Sequence, residues 1–287
     1  MSALPLTAVP ASFLVPPLAL PGGLTLPTGR TAIMGILNVT PDSFSDGGRY
    51  TDVAAALHHA RQMVAAGADL IDVGGESTRP NSTRISADEE WGRICVIVEA
   101  LATEGVIVSV DTLHASTARE AACAGAAIIN DVSGGRWDPE MNAAVAESGC
   151  AYVVQHYRAL PGMPGEHFDY GDDLVGTLME RVGSQVQDAI DAGVTPDKIV
   201  IDPGLGFSLT GDQCWQILRE LPRFLQGGYP VLVGASRKRF VKALEGDVDA
   251  NSADIAAYCA AAGAWAVRVH DVAATAAAIA RKENDVD

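Results

Sequence analysis

Cysteine is scarce in this sequence, and the five present (Cys95, Cys123, Cys150, Cys214 and Cys259) include no Cys-x-x-Cys pair. That removes the usual spacing of a zinc ribbon or a dithiol redox centre, and the apolar settings read as buried, reduced thiols of a cytosolic protein. Basic charge is short as well. Lys and Arg number 20 against 36 Asp and Glu, a formal net charge of −16. A surface of that sign repels nucleic acid and anionic lipid, so neither is an expected partner. No charged side chain precedes Arg30, yet prolines at 5, 10, 16, 17 and 21 interrupt any helix there. A secretory signal would need a basic start. Residues 1–30 therefore read as a proline-rich lead-in, packed as a short hairpin or left loose. No later run is long and apolar enough to span a bilayer. The expected setting is the cytoplasm.

What is present is a repeating alternation. Short apolar, β-branched runs are expected as strands at Ala32–Asn38, Asp69–Gly75, Val106–Thr112, Ile128–Val132, Ala151–His156, Ile199–Pro203, Pro230–Ala235 and Ala266–His270. Helical spacing lies between them, as at Val53–Ala66, Ala87–Thr103, Ser116–Cys123, Asp173–Ala192 and Asp254–Ala262. Runs apolar on both faces suit a parallel sheet covered on both sides. Eight such units without a linker after Gly29 predict an α/β fold, a single-domain (β/α)₈ TIM barrel over 31–287. The alternative, a doubly wound open sheet, would want Gly-x-Gly-x-x-Gly after an early strand, and the first strand has none.

Polar residues fall at the C-terminal strand ends, where barrels carry their sites. In chain order they are Asn38; Asp72 and Glu76; Asp111; Asn130 and Asp131; Gln155 and His156; Asp202; Ser236, Arg237 and Lys238; Arg268 and His270. One such residue is an ordinary cap. Eight ends in eight are not. Lys238, Arg268 and His270 form an expected anion subsite. Asp111, Asn130 and Asp202 suit the donor edge of an aminopyrimidine-like ring, because a carboxylate accepts two parallel N–H bonds. A protein-held metal cluster is the competing reading, and it lacks a clear histidine set. Mg²⁺ held chiefly by substrate phosphates remains compatible, with Asn38 as a candidate ligand.

Seven blocks then resemble one family in order. They are Asn38–Gly48 (Asn-Val-Thr-Pro-Asp-Ser-Phe-Ser-Asp-Gly-Gly), Gly74–Pro80 (Gly-Gly-Glu-Ser-Thr-Arg-Pro), Val110–Thr112, Asn130–Gly135, Asp202–Phe207, Gly234–Arg239 and Arg268–Val272. The chain resembles the dihydropteroate synthases, and the blocks leave only the first thirty residues and the tail uncovered. The resemblance implies condensation of 6-hydroxymethyl-7,8-dihydropterin diphosphate with p-aminobenzoate in folate biosynthesis, Mg²⁺, a homodimer and sulfonamides as competitive inhibitors. It implies that Asp111, Asn130, Asp202 and Lys238 hold the pterin, with Gln155, Phe207 and Gly234 in the same substrate pocket. Arg268, His270 and Asn38 would bind the diphosphate, Asn38 also touching Mg²⁺. Phe44, Asp46, Thr78, Arg79 and Pro80 would belong to loops closing over the substrates.

The sequence departs from the family pattern at Gln155, where methionine is common, and at Asn81, where glycine is common. The connection Leu244–Ser252 is also short. Two other readings share the pterin contacts: a non-catalytic pterin-binding paralogue, and the pterin domain of a corrinoid-linked methyltransferase. The first should erode loop one and the Ser-Arg-Lys block. The second should lack Thr40–Gly48 and the Lys238 block as written here.

Overall fold

The computed structural model describes residue 6 and residues 16–39, 49–78 and 82–284. Eight parallel strands run as β1 Ala32–Asn38, β2 Leu70–Gly74, β3 Ile107–Asp111, β4 Ile128–Asp131, β5 Ala151–Gln155, β6 Ile199–Asp202, β7 Leu232–Val233 and β8 Ala266–Val269. Their order in the sheet is β6-β5-β4-β3-β2-β1-β8-β7. A parallel bridge between Ile201 and Val231 joins the two ends, and Ile201 N–H donates to the Pro230 carbonyl at 2.9 Å. The chain is a (β/α)₈ TIM barrel.

Alternation within each strand sorts the side chains. One set, including Met34, Leu70, Ile128, Val153, Val200 and Leu232, fills the lower barrel interior. The other, including Ile33, Ile71, Val108, Ile129, Val154 and Ile201, packs outward against the helices. The described part of the lead-in forms a 3₁₀ turn at Pro21–Gly23 and sets Leu18, Leu20 and Leu26 beneath the interior cluster. It plugs the barrel floor where a hairpin was one expectation.

The helices are α1 Arg49–Ala65, α2 Ala87–Thr103, α3 Ala115–Cys123, α4 Met141–Ser148, α5 Leu174–Asp191, α6 Gly211–Arg219, α7 Leu221–Leu225, α8 Arg239–Lys242, α9 Val248–Ala262 and α10 Val272–Asn284. Side-chain caps fix several starts: Ser86 accepts from Glu89 N–H, and Thr210 and Gln213 form a capping box. None of the described helices is long and apolar enough to cross a membrane.

Three local expectations are corrected. The seventh strand is reduced to Leu232–Val233, with a lone bridge from Val231 to Ile201 before it, because Pro230 offers no N–H to a ladder. Helix α9 begins six residues before the expected Asp254, since Asp247 accepts the N–H groups of Asp249 and Ala250; most of Leu244–Ser252 is helix and not connection. Among the thiols, Cys150, Cys214 and Cys259 are buried, but Cys123 is exposed and Cys95 half-buried.

The turn after β4 shows how tightly the top of the barrel is tied. Asp131 points outward, accepting Ser133 N–H and Gly135 N–H at 2.7 Å each and the Tyr152 hydroxyl at 3.1 Å. Gln185 from α5 donates to the carbonyls of Ser133 at 3.0 Å and Gln155 at 2.9 Å. Gly134 lies between at φ 54°. A Cβ there would overlap the Gln185 amide and come within 2.8 Å of the Gln155 carbonyl oxygen. Gly134→Ala is therefore expected to destabilise the fold by about 1–3 kcal/mol through overpacking, read as a lower urea midpoint at unchanged slope. An unaltered midpoint would show that the turn relaxes freely.

Candidate active site

The interior rows that begin apolar at the barrel floor end polar at its mouth. Inward positions read Ala32, Met34, Ile36, Asn38 along β1 and Leu70, Asp72, Gly74 along β2, and the same change occurs on the other strands. The mouth opens into a cavity of about 1070 Å³. Asn38, Thr78, Asp111, Asn130, Gln155, Asp202, Phe207, Gly234, Lys238, Arg268 and His270 all line it. Every expected site residue within the described part of the chain is thus at one cavity. Phe44, Asp46, Arg79 and Pro80, and with them Asn81, lie outside the described residues.

Arg268 is the electrostatic centre. Its Nε donates to Asp72 Oδ2 at 2.6 Å and its Nη2 to Asp111 Oδ2 at 2.7 Å. Asn130 Nδ2 donates to the same Asp72 oxygen at 3.1 Å. The expected anion subsite and the expected ring-reading group are therefore one network. Burial pushes Asp111 up to about 7; Arg268 opposes this, and the charges of Asp72, Glu90 and Asp131 reinforce it. Burial also raises Asp202, with Lys238 and the Gly204 N–H pulling the other way.

Lys238 enters from the β7–α8 turn. Its ammonium donates to the Leu205 carbonyl and sits 4.4 Å from the centre of the Phe207 ring. Burial lowers it to about 8, with Asp202 resisting the shift. The turn that aims it contains Arg237 at φ 56°, a left-handed conformation that a non-glycine residue holds only when its surroundings enforce it. Here they do. Arg237 makes a two-pronged ion pair with Asp249 at 2.6 and 2.8 Å, and its N–H donates to Ser252 Oγ at 3.1 Å. Ser236 lies 2.9 Å from His270 Nδ1 and accepts the His270 N–H at 3.2 Å, which fixes the ring.

At the other rim, Gln155 is buried and donates from Nε2 to the Val132 carbonyl at 3.1 Å. Behind Thr78, Glu76 accepts Ile85 N–H at 3.0 Å, stands 3.3 Å from His114 Nε2 and 3.4 Å from Arg84 Nε. Burial would raise the Glu76 carboxyl, but these partners hold it below its ordinary value.

Two polar strand-end residues turn away from the cavity. Asp131 caps the turn after β4, and His156, wholly buried, packs its ring 5.6 Å from that of Tyr170. Their side chains occupy the outward parity of β4 and of the residue following β5. Asp72 and Ser236 count among the polar strand ends but carry no expected role, and Asp249 is not expected there at all. An acid standing at inward parity inside an apolar strand is the signal that marks Asp72. No comparable signal marks Asp249, which acts across a turn.

Among the described residues, no three His, Cys, Asp or Glu side chains could hold a metal together. The oxygen donors do suit a hard cation with other ligands of its own. Asn38 Oδ1 and Asp111 Oδ2 converge over Gly74, within 3.9 and 3.8 Å of where its Cβ would stand.

Comparison with known proteins agrees with this architecture. The family described as pterin binding enzyme matches residues 34–270. A dihydropteroate synthase of Mycobacterium leprae is 46% identical over 258 residues, spanning 86% of this chain and 90% of that protein. A Xanthomonas albilineans dihydropteroate synthase solved with 4-aminobenzoic acid superposes with TM-score 0.82 at 39% identity, over 90% of this chain and 94% of that one. A Yersinia pestis dihydropteroate synthase in a sulfonamide drug complex gives TM-score 0.84 at 38% identity, over 94% and 98%. With the family matched over residues 34–270, the chain belongs to the pterin binding enzymes.

Proposed function

We propose that this chain is a dihydropteroate synthase, a transferase that joins 6-hydroxymethyl-7,8-dihydropterin diphosphate to p-aminobenzoate. One observation carries the reading. A single cavity brings the carboxylates of Asp111 and Asp202 and the amide of Asn130 against Lys238, Arg268 and His270. The first set suits the amino-pyrimidinone edge of a pterin, and the second suits the phosphates attached to it.

The reaction is a substitution at the pterin methylene. The C–O bond to diphosphate breaks with both electrons leaving on oxygen. The arylamine nitrogen then bonds to carbon and releases a proton. Asp111 and Asp202 favour the positive charge that spreads over the pterin, and Arg268 and His270 stabilise the departing anion. Lys238 lines the same cavity within the field of Asp202, Asp111 and Arg268, so its charge can serve ring and leaving group alike. The chain needs no covalent nucleophile. Mg²⁺ would be held by Asn38 and the substrate's own diphosphate, and when bound it neutralises phosphate charge. By the resemblance of their blocks, Phe44, Asp46, Thr78, Arg79 and Pro80 would serve the diphosphate and p-aminobenzoate. Sulfonamides, which resemble that substrate, compete for the same place. A homodimer in the cytoplasm is part of the same proposal.

Reconstitution tests it directly. Purified protein with pterin diphosphate, p-aminobenzoate and Mg²⁺ should yield 7,8-dihydropteroate and diphosphate. Binding without turnover would make the chain a non-catalytic paralogue, and a bound corrinoid would move it to the methyltransferases.

Lys238→Ala should lose about 2–4 kcal/mol of transition-state stabilisation while remaining folded. Full activity would remove Lys238 from the site. The lysine is charged below about pH 8 and neutral above it. The value of kcat/KM for the pterin substrate should therefore fall as pH rises through about 8. In Lys238→Arg that limb should move to higher pH, whatever the absolute rate.

Titration calorimetry should show weak Mg²⁺ binding to the free protein and much stronger binding once diphosphate is present. Tight binding to the free protein would reveal a metal site built from protein ligands alone. Gln155 already has a hydrogen-bond partner in the Val132 carbonyl. Gln155→Met should consequently keep turnover and change pterin affinity by no more than about tenfold, or 1.4 kcal/mol. Lost activity would give Gln155 a specific role.

A further inference from the structure

A second cavity of about 360 Å³ lies outside the barrel, lined by Arg136, Tyr157, Arg158, Arg181, Ser184 and Gln185. Three arginines and no carboxylate line it, in a chain whose net charge is −16. Arg136 is compensated: it pairs with Asp188 at 2.5 Å and donates to Ser184 Oγ at 3.2 Å. The other two have no ion pair among the described residues. Arg158 donates from Nη1 to the carbonyls of His167 at 3.1 Å and Asp169 at 2.7 Å, meets His167 Nδ1 at 2.5 Å, and lies 4.2 Å over the Tyr170 ring. Arg181 donates from Nη2 to the Tyr157 carbonyl at 3.3 Å. Each keeps a buried Nε–H with no acceptor among the described residues.

Unbalanced guanidiniums sharing a cavity wall repel each other and forfeit hydration. The field is visible in their neighbours. Burial, then Arg181 and Arg158, drive the buried His156 down to about 3. Burial lowers Arg158 itself; Tyr170 and Asp169 oppose that, and Arg181 adds to it. Arg158 Nη2 and Arg181 Nη1 carry no hydrogen bond among the described residues, and two planar forks with such free donors match a tetrahedral oxyanion carrying two charges. A cavity of this size also has room for more than a bare phosphate, at the small end of metabolite sites.

We propose that Arg158 and Arg181, with Arg136 beside them, form a binding site for a phosphoryl anion, separate from the substrate cavity. The site touches that cavity's wall through Gln185, whose Nε2 donates to the Gln155 carbonyl at 2.9 Å.

Calorimetric titration of the full chain with inorganic phosphate, ribose 5-phosphate and glutarate tests it. The wild type should show a saturable phosphate site that Arg158→Gln/Arg181→Gln weakens at least tenfold, with dihydropteroate formation in phosphate-free buffer unchanged. Ribose 5-phosphate tighter than phosphate by tenfold or more assigns the site to a phosphate ester, and equal affinities assign it to the free oxyanion. Identical affinity and stoichiometry in variant and wild type would place all phosphate in the substrate cavity and overturn the proposal. Glutarate binding as tightly as either phosphate would overturn the phosphoryl assignment. Should the double variant not fold, Arg181→Lys keeps the charge but not the fork. It should weaken phosphate at least threefold, and unchanged affinity there also overturns the site.

Discussion

The top half of this barrel depends on one partly buried cation. Arg268 on β8 reaches across the interior to Asp72 on β2 and Asp111 on β3, at 2.6 and 2.7 Å. Asp72 is fully buried, and its second close donor is the amide of Asn130. Without the guanidinium two carboxylates would face each other in a space that excludes most water, and an uncompensated buried charge is among the most destabilising single defects a fold can carry. The ion pair is therefore what permits a ring of acids at this depth. Asp111 still sits high, at about 7. Burial is the main cause, reinforced by the charges of Asp72, Glu90 and Asp131 against the pull of Arg268, and it leaves Asp111 ready to gain from a donor-rich ligand.

The same alternation that builds the barrel also divides its labour. Below the level of Arg268 the interior is closed by Met34, Leu70, Ile128 and Val200, with Leu18, Leu20 and Leu26 sealing the floor. Above it the inward positions are polar and open to the cavity. Stability is supplied by one end and chemistry by the other, so the mouth can carry a left-handed Arg237 and a desolvated lysine without endangering the core. Neighbouring side chains hold these groups and the rest of the rim in place. Asp249 holds Arg237, Ser236 holds His270, and the Ile85 N–H, Arg84 and His114 surround Glu76.

Much of this was legible before any coordinates. β1 and α2 occur over the residues expected of them, Ala32–Asn38 and Ala87–Thr103, because strong hydrophobic patterning coincides there with clear stops. The strand-end rule drew Asn38, Asp111, Asn130, Gln155, Asp202, Lys238, Arg268 and His270 to one place. It failed for Asp131 and His156 because a strand end names a height and not a face; one residue of register decides whether a side chain meets ligand or helix. It underrated Asp72 because that acid lies before the strand end, at the depth where only a cross-barrel partner could justify it. The start of α9 was hidden by polar residues that read as loop until Asp247 is seen capping them. Interactions between distant turns, such as Arg237 with Asp249, leave no periodic trace.

The Arg268 network also sets how a substrate can enter. In the proposed reading, Asp111 must accept from the pterin and Arg268 must meet the diphosphate, yet the two are bonded to each other. Binding is then an exchange of partners and not the filling of idle ones. Asp111 trades a guanidinium N–H for ring N–H groups, and Arg268 trades one carboxylate for phosphate oxygens while Asp72 keeps its Nε. The number of charge-assisted bonds is conserved or raised, so neither group passes through an unpaired buried state. A ligand offering only the ring or only the phosphate would complete half of the exchange and strand one partner. A site wired in this way favours the two chemical features joined in one molecule, which is what distinguishes a pterin diphosphate from a free pterin or a free diphosphate.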